Sequence, residues 1–266
     1  MKKIFFLLFS FATLIGSAPS AQAQGEREVL DRFLVPIVID GEAPGAFGSR
    51  WATRLVIHNA SNQAVKVTQG ILGCSLATCP NEAVPPNTTV TDLPAGFQLG
   101  RGWSGTGAFL HVRKEYRGSM SFNLRVQDLS RQALTWGTEL PLVHESEAFV
   151  STLQLINVPT DSRFRVAIRL YDFEPGNTAR HVRIRAYGRT SETLAETTLA
   201  MFPNLGMENS LAGYGQLVDL VAAFPQLGAS ETIRLEITPL TQGLRFWAFA
   251  SVTNNETQHV TTITPQ

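Results

Sequence analysis

Five arginines in the second half of the chain have the chemistry of an anion-binding site. They are Arg163, Arg165, Arg169, Arg183 and Arg185. Each lies opposite the apolar residues of an alternating segment, on the face of a strand that water would reach. A guanidinium group matches the geometry of a carboxylate or a phosphate. If the two segments are adjacent strands, the arginines form one basic surface, which suits an acidic polysaccharide, a lipopolysaccharide phosphate or an acidic envelope protein.

A solvated sheet face is the simpler interpretation of the same arginines. Such a face carries acidic partners across the strands, and Glu192, Glu196 and Glu236 are suitable partners. The sequence leaves both interpretations open.

Two aromatic residues occupy positions where polar side chains are expected. Trp247 and Phe249 correspond to Ser121 and Asn123 of the first half, so both faces of their strand are apolar. Either the first half or a helix predicted for residues 214–224 covers these rings. Otherwise the two rings form an aromatic platform for a sugar or a peptide.

Cys74 and Cys79 are the only cysteines. An exported protein meets an oxidising environment, so we predict a disulfide that closes this short loop. A redox-active pair requires a CxxC-like spacing beside a helix, whereas four residues separate these cysteines and Pro80 follows them. With no histidine nearby in sequence, the pair also makes a poor zinc site, and no metal is expected.

Catalytic signatures are missing from the sequence. The five histidines occur singly, without an HExxH spacing, and there is no GxSxG elbow. A carboxylate pair for glycoside hydrolysis could be assembled from Glu139, Glu145 or Asp172, but the sequence does not set their separation. We therefore expect a protein that is not an enzyme and has no cofactor.

The N-terminus predicts a signal peptide over residues 1–23. Two lysines precede an apolar run from Ile4 to Ile15, and Ala21-Gln22-Ala23 forms a small-x-small cleavage site. The run of about 12 residues is shorter than the roughly 20 that span a membrane, so we expect export to the periplasm or outside the cell, without stable membrane insertion. Lysine and arginine number 22, as do aspartate and glutamate. This balance implies no general attraction to nucleic acid.

An internal repeat predicts the elements that position these residues. Ser49 to Thr68 has apolar residues at alternate positions, and a similar segment begins at Ser162, at an offset of 113 for its first strand. Each copy reads as two neighbouring strands joined by a turn. A second match, at an offset of 126, pairs Phe122 with Ala248, Val126 with Val252 and Gln132 with Gln258. Strands with one apolar and one polar face are typical of antiparallel sheets.

The predicted fold is all-β, with two tandem antiparallel β-sandwich domains related by the repeat. A chain of 266 residues accommodates two such domains, and Glu145-Ser146-Glu147 is a natural boundary. The predicted domains are residues 24–145 and 146–266. One short helix is predicted in the second domain, where apolar residues from 214 to 224 recur at helical spacing before Pro225.

Tandem β modules behind a signal peptide resemble the immunoglobulin- or fibronectin-like sandwich pairs of bacterial envelope proteins. The segment from Arg54 to Thr68 resembles those folds in its order of strand, Asn, short polar turn and alternating strand. The resemblance implies an exported, non-catalytic binding or structural protein that engages an envelope or extracellular partner. The two-domain organisation is also similar to that of periplasmic pilus-assembly chaperones, which suggests an assembly chaperone acting by β-strand addition as the alternative. The signature of that family at the end of its first domain is absent here, as are convincing equivalents of its paired basic residues.

Overall fold

The structure is a computed structural model, and it describes residues 29–39, 41–69, 81–91, 106–131, 136–174, 177–203, 211–227 and 232–266. The signal peptide predicted for residues 1–23 and the disulfide predicted between Cys74 and Cys79 lie outside these residues. The described part of the chain is mostly β, with antiparallel sheets and short helical segments. The predicted all-β class is therefore confirmed.

The first half of the chain, up to residue 145, forms two antiparallel sheets. Its first five strands are β1 (Leu30–Val38), β2 (Ala43–Pro44), β3 (Arg50–Asn59), β4 (Val65–Gln69) and β5 (Asn81–Val84). The next five are β6 (Thr88–Thr91), β7 (Thr106–Arg113), β8 (Met120–Asp128), β9 (Thr138–Leu140) and β10 (Val143–His144). Sheet 1 has the order β10-β1-β7-β4-β5, and sheet 2 has the order β2-β3-β8-β9, with β6 also paired to β3. Short 3-10 helices lie at Ala46–Gly48, Lys114–Ser119, Leu129–Arg131 and Glu145–Glu147.

The second half forms two further antiparallel sheets. Its strands are β11 (Leu153–Val158), β12 (Phe164–Asp172), β13 (Arg180–Tyr187), β14 (Thr193–Met201), β15 (Gly213–Leu217), β16 (Ile233–Pro239), β17 (Phe246–Asn254) and β18 (Val260–Ile263). Sheet 3 has the order β11-β16-β13-β14, and sheet 4 has the order β15-β12-β17-β18. Helix α1 (Leu220–Ala223) and a 3-10 helix (Pro225–Leu227) follow β15.

Apolar packing continues across the boundary between the halves. One buried cluster belongs to the second half and draws on both of its sheets, for example through Ile168 of β12 and Ile184 of β13. The other is the core of the first half, but it also contains buried residues of the second half. These are Tyr171, Phe173, Leu211, Ala212, Trp247 and Phe249. Part of the outer face of sheet 4 is therefore covered by the first half.

A buried arginine also joins the two halves. The side chain of Arg32 in β1 is 7% exposed, and its Nη2 lies 2.9 Å from Oε1 of Glu174 in the second half. Its Nε lies 3.3 Å from Oε2 of Glu145. A charge removed from water is tolerated when it is paired and hydrogen-bonded, and these two carboxylates supply the balance.

The prediction that each repeated segment forms two neighbouring strands is wrong. Strand β3 pairs with β8 in sheet 2, whereas β4 pairs with β7 in sheet 1. Strands β12 and β13 likewise belong to sheets 4 and 3. Alternating apolar residues show that a strand has one buried face. Two strands that are neighbours in one sheet have this pattern, and so do two strands that face each other across the core from opposite sheets. The pattern therefore does not distinguish the two arrangements.

The helix predicted for residues 214–224 is only partly present. Gly213–Leu217 is strand β15, which pairs with β12, and the α-helical part is confined to the four residues of α1. Two glycines, at 213 and 215, disfavour a helix there. The side chain of Asp219 accepts hydrogen bonds from the backbone N–H groups of Val221 and Ala222, so α1 begins only after this residue.

Candidate functional site

A groove lies between the two halves, beside the covered part of sheet 4. Its cavity volume is about 320 Å³. Residues of β12 and β17 form one side, and Ile37, Ile39, Trp51 and Val126 of the first half form the other. A ligand in this groove would therefore contact both halves of the chain.

Strand β12 places two of the five candidate arginines in the groove. Its inward side chains, from Val166 to Leu170 at every second position, are buried in the core of the second half. The alternating residues Arg165, Ala167 and Arg169 therefore face outward and line the groove. The next outward residue, Tyr171, is completely buried against the first half, so the groove begins where this cover ends.

Arg165 is half-buried and is held by residues of both halves. Its Nη1 donates a hydrogen bond to Oδ1 of Asn255 at 3.1 Å. Its guanidinium carbon lies 5.7 Å from the centroid of the Phe47 ring, which belongs to the 3-10 helix Ala46–Gly48 before β3. No carboxylate of the described residues lies within ion-pair distance of this guanidinium. Its positive charge is therefore available to an anionic ligand.

Arg169 is held by a neutral phenol. Its Nη1 donates to the hydroxyl oxygen of Tyr214 at 2.8 Å, and Tyr214 in turn donates to Oε1 of Gln216. Burial raises the pKa of Tyr214 above its ordinary value, although the charge of Arg169 acts in the opposite direction. The phenol thus orients Arg169 without adding a negative charge.

Among the described residues that line the groove, the charged side chains have one sign. Arg165 and Arg169 are the only charged residues among the described residues that line it. Apolar walls lower the local dielectric and strengthen the interaction of these guanidinium groups with an anion. The groove therefore combines an attraction for anions with an apolar surface for the rest of a ligand.

Two aromatic residues of the groove region were missed in the sequence analysis. Phe47 is 70% exposed and has a φ of 56°, a left-handed conformation that bulky residues rarely adopt. Trp51 lines the groove, and its Nε1 donates to Oγ of Ser49 at 3.0 Å. The loop is folded tightly on Trp51, because a Cβ added to Gly45 would lie 2.3 Å from that nitrogen. The sequence signal that could have indicated Phe47 was a large aromatic residue between two glycines, Gly45 and Gly48.

The other three candidate arginines lie away from the groove and have acidic partners. Arg163 is exposed and binds Asp161, with Nη2 2.7 Å from Oδ2. Arg183 and Arg185 belong to sheet 3, where both contact Glu196 across the β13–β14 pair. The predicted single basic surface of five arginines is therefore wrong, because β12 and β13 are not neighbours.

Trp247 and Phe249 do not form an exposed platform. They are 4% and 0% exposed and pack in the core of the first half. Their rings lie near Tyr171, with the Phe249 and Tyr171 centroids 6.3 Å apart. In the structure, the first half of the chain covers both rings, which was one of the interpretations of these residues. Burial removes both side chains from the candidate ligand contacts.

A serine, a histidine and an aspartate meet at the junction, although His144 has no such partners at a recognisable spacing in the sequence. Nε2 of His144 lies 3.1 Å from Oδ1 of Asp31, and Nδ1 lies 2.7 Å from Oγ of Ser146. The backbone N–H of Ser146 also donates to Nδ1, at 3.2 Å. This contact belongs to a capping box that closes the 3-10 helix Glu145–Glu147. The arrangement thus caps the turn that links the two halves.

Within the described ranges, no three His, Cys, Asp or Glu side chains are grouped closely enough to hold a metal ion. None of the helices in that part of the chain has the length and hydropathy needed to cross a membrane. Comparison with protein-family models, with curated proteins and with solved structures finds no match for this chain. The site must therefore be interpreted from its own chemistry.

Proposed function

We propose that this chain is an exported, non-catalytic binding protein whose ligand is an acidic polysaccharide. The observation that carries the proposal is the pair Arg165 and Arg169, the only charged lining residues of the groove in the described part of the chain. Guanidinium groups bind carboxylates, phosphates and sulfates through paired hydrogen bonds. The apolar walls and Trp51 suit the faces of sugar rings.

The spacing of the two arginines favours a polymer over a single small anion. Four positions along a strand separate Arg165 from Arg169, which corresponds to about 13 Å between their Cα atoms. Different partners, Asn255 and Tyr214, hold the two guanidinium groups. Two anionic groups on one chain fit this spacing, as in a polysaccharide with acidic units.

We also infer that the two halves are immunoglobulin-like sandwich domains, residues 24–145 and 146–266, related by an internal repeat. The order β1-β7-β4-β5 in sheet 1 corresponds to the order β11-β16-β13-β14 in sheet 3. The order β6-β3-β8-β9 in sheet 2 corresponds to β15-β12-β17-β18 in sheet 4. The groove is then a site between domains, a common position for ligands.

Equivalent turns support the repeat. Asn59 ends β3 and Asp172 ends β12, and each side chain accepts a hydrogen bond of 2.9 Å from the backbone N–H two residues later. Asp128 and Asn254 end β8 and β17 and make the same contact, at 3.0 and 2.9 Å. The offsets of these pairs are those of the sequence repeat, 113 and 126.

The proposed location is the periplasm or the extracellular space. The predicted signal peptide over residues 1–23 supports export, and cleavage would expose Gln24 as the first residue. A protein in these compartments is exposed to polysaccharides of the cell envelope and of the extracellular medium.

The test is binding of the exported chain to a panel of carboxylated, sulfated and neutral polysaccharides, measured by calorimetry over a range of salt concentrations. We expect binding to acidic members only, with an affinity that falls as salt rises. The substitution Arg165→Ser should lower the affinity by about tenfold or more, since a hydrogen bond to a charged group contributes roughly 1.5–3 kcal/mol.

Arg163→Ser and Arg183→Ser are the matched controls. They remove the same charge from the same half of the chain, but outside the groove, and should leave the affinity nearly unchanged. Equal losses in all three variants would contradict a site in the groove. A stoichiometric protein partner that stays bound at high salt, with no saccharide bound, would favour the assembly-chaperone alternative.

A further inference from the structure

A second cavity lies next to the groove, on the other side of shared lining residues. This cavity has a volume of about 300 Å³ and shares Trp51, Val126 and Val260 with the groove. Between the halves, Oγ1 of Thr138 donates to the carbonyl oxygen of Val260 at 2.6 Å. Each cavity alone is at the lower end of the range of ligand sites, roughly 300–1,000 Å³.

The second cavity differs from the groove in its charge. Its acidic and basic lining residues, Asp128 and Arg131, form an ion pair, with Oδ2 and Nη1 2.5 Å apart. Burial tends to raise the pKa of Asp128, but hydrogen bonds from Ser130, Arg131 and backbone N–H groups outweigh it and lower the pKa. The carboxylate therefore stays ionised and balances Arg131, so this pair offers no net charge to a ligand.

The second cavity is lined by apolar residues and by several residues that form hydrogen bonds. Gln258 is 5% exposed and has a φ of 59°, a conformation that is uncommon outside glycine. Its Nε2 donates to the carbonyl oxygen of Asn255 at 2.6 Å, which orients the amide. Thr138, Thr257 and His259 also line the cavity. Amide, hydroxyl and imidazole groups donate and accept hydrogen bonds, which matches the hydroxyl groups of an uncharged sugar.

We propose that the two cavities form one extended site for a linear polysaccharide that contains both acidic and uncharged units. Acidic units bind at Arg165 and Arg169, the chain passes over Trp51, and uncharged units bind beside Gln258. This inference rests on the proposed function and specifies the class of its ligand.

The experiment measures affinity against ligand length, using oligosaccharides that alternate a uronic acid with a neutral N-acetylated sugar, such as hyaluronan fragments of four to twelve sugars. We expect short fragments to bind weakly, longer fragments to bind at least several-fold more tightly, and the gain to stop once both cavities are filled. Gln258→Ala should lower the affinity for long fragments about fivefold. The affinity for the shortest fragments should stay unchanged.

Two further variants separate the possible results. Arg165→Ser should weaken the binding of fragments of every length. Because Gln258→Ala affects a buried turn, the exposed His259→Ala variant, with its thermal unfolding checked, provides an independent test of the same cavity. Binding that is sensitive to Arg165→Ser but unchanged by length, by Gln258→Ala and by His259→Ala would overturn the extended site and leave the proposed function standing. No binding at any length, to these fragments or to the panel of acidic polysaccharides, would overturn both.

Discussion

The guanidinium carbon of Arg165 lies 5.7 Å from the ring centroid of Phe47, so a strand of the second half contacts a loop of the first. Within the first half, Arg54 lies over Trp136 at a similar distance, 5.6 Å. Both rings are largely exposed, at 70% and 68%. Only the first pair includes a residue of the groove. The two contacts therefore allow a comparison between an aromatic residue beside the proposed ligand site and one that lies away from it.

We predict that Phe47→Ala lowers the affinity for an acidic polysaccharide by about threefold to tenfold, since an aromatic contact contributes roughly 0.5–1.5 kcal/mol. Trp136→Ala should leave the affinity unchanged. Neither variant should shift the melting temperature by more than a few degrees, because both side chains are exposed. Calorimetric titration of both variants checks this, and an equal loss from Trp136→Ala would show that Phe47 has no special role.

Gly107 lies at a point of close packing between the halves. A Cβ at this position would lie 2.5 Å from Cδ1 of Tyr171 and 2.9 Å from Cδ1 of Leu34. We predict that Gly107→Ala destabilises the protein by about 1–3 kcal/mol, the usual cost of overpacking. Gly118→Ala is the control, because a Cβ there meets no atom within 4 Å. Thermal unfolding of the two variants would contradict the prediction if their midpoints were the same.

Asn59 is fully buried at the end of β3 and satisfies several backbone groups. Its Nδ2 lies 2.7 Å from the carbonyl oxygen of Gln63 and 3.0 Å from that of Val84, and its Oδ1 accepts from Ser61. We predict that Asn59→Ala lowers the free energy of unfolding by about 3 kcal/mol, because buried polar groups lose their partners. Asn123→Ala, at a half-buried position of β8, should cost much less. Denaturant titration measures both values, and similar costs would count against this role of Asn59.

Asp172 makes stability depend on pH. Burial raises the pKa of its carboxyl group from 3.8 to about 6, against the opposing effects of the Glu174 N–H and of Arg180. A raised pKa means that the folded state binds the proton more tightly than the unfolded state does. The stability that this proton contributes is fully present below pH 3.8 and is lost as pH rises through 6. The loss is about 3 kcal/mol.

The test compares the wild-type protein with Asp172→Asn from pH 4 to pH 7. The stability of the wild-type protein relative to the variant should fall by most of that amount, about 2.4 kcal/mol, as pH rises. Asp161→Asn provides a contrast of opposite sign, because hydrogen bonds from Arg163 lower the pKa of Asp161. Its wild-type carboxylate stabilises the protein only above its ordinary pKa, and the effect is lost as pH falls. A wild-type advantage over Asp172→Asn that grows with pH would reject the assignment.

Local sequence patterns were sufficient for the strands and for the direction of many side chains. The alternation around Arg165 and Arg169 predicted that both face away from the core, and both do, because neighbouring side chains of a strand point to opposite faces. The signal peptide and the disulfide were also read from local patterns, and they stay predictions. The helix predicted over residues 214–224 is only partly present, because apolar spacing in a short segment that contains Gly215 does not separate a helix from a strand.

Long-range packing decided which of these residues meet. The sequence by itself determined an all-β chain with outward arginines, since side-chain direction depends only on neighbouring residues. Only the tertiary structure placed β12 and β13 in different sheets, buried Trp247 and Phe249, and brought Phe47 to Arg165. The physical reason is that strand pairing and the cover of a sheet face depend on contacts between residues far apart in sequence, which a period of two does not encode.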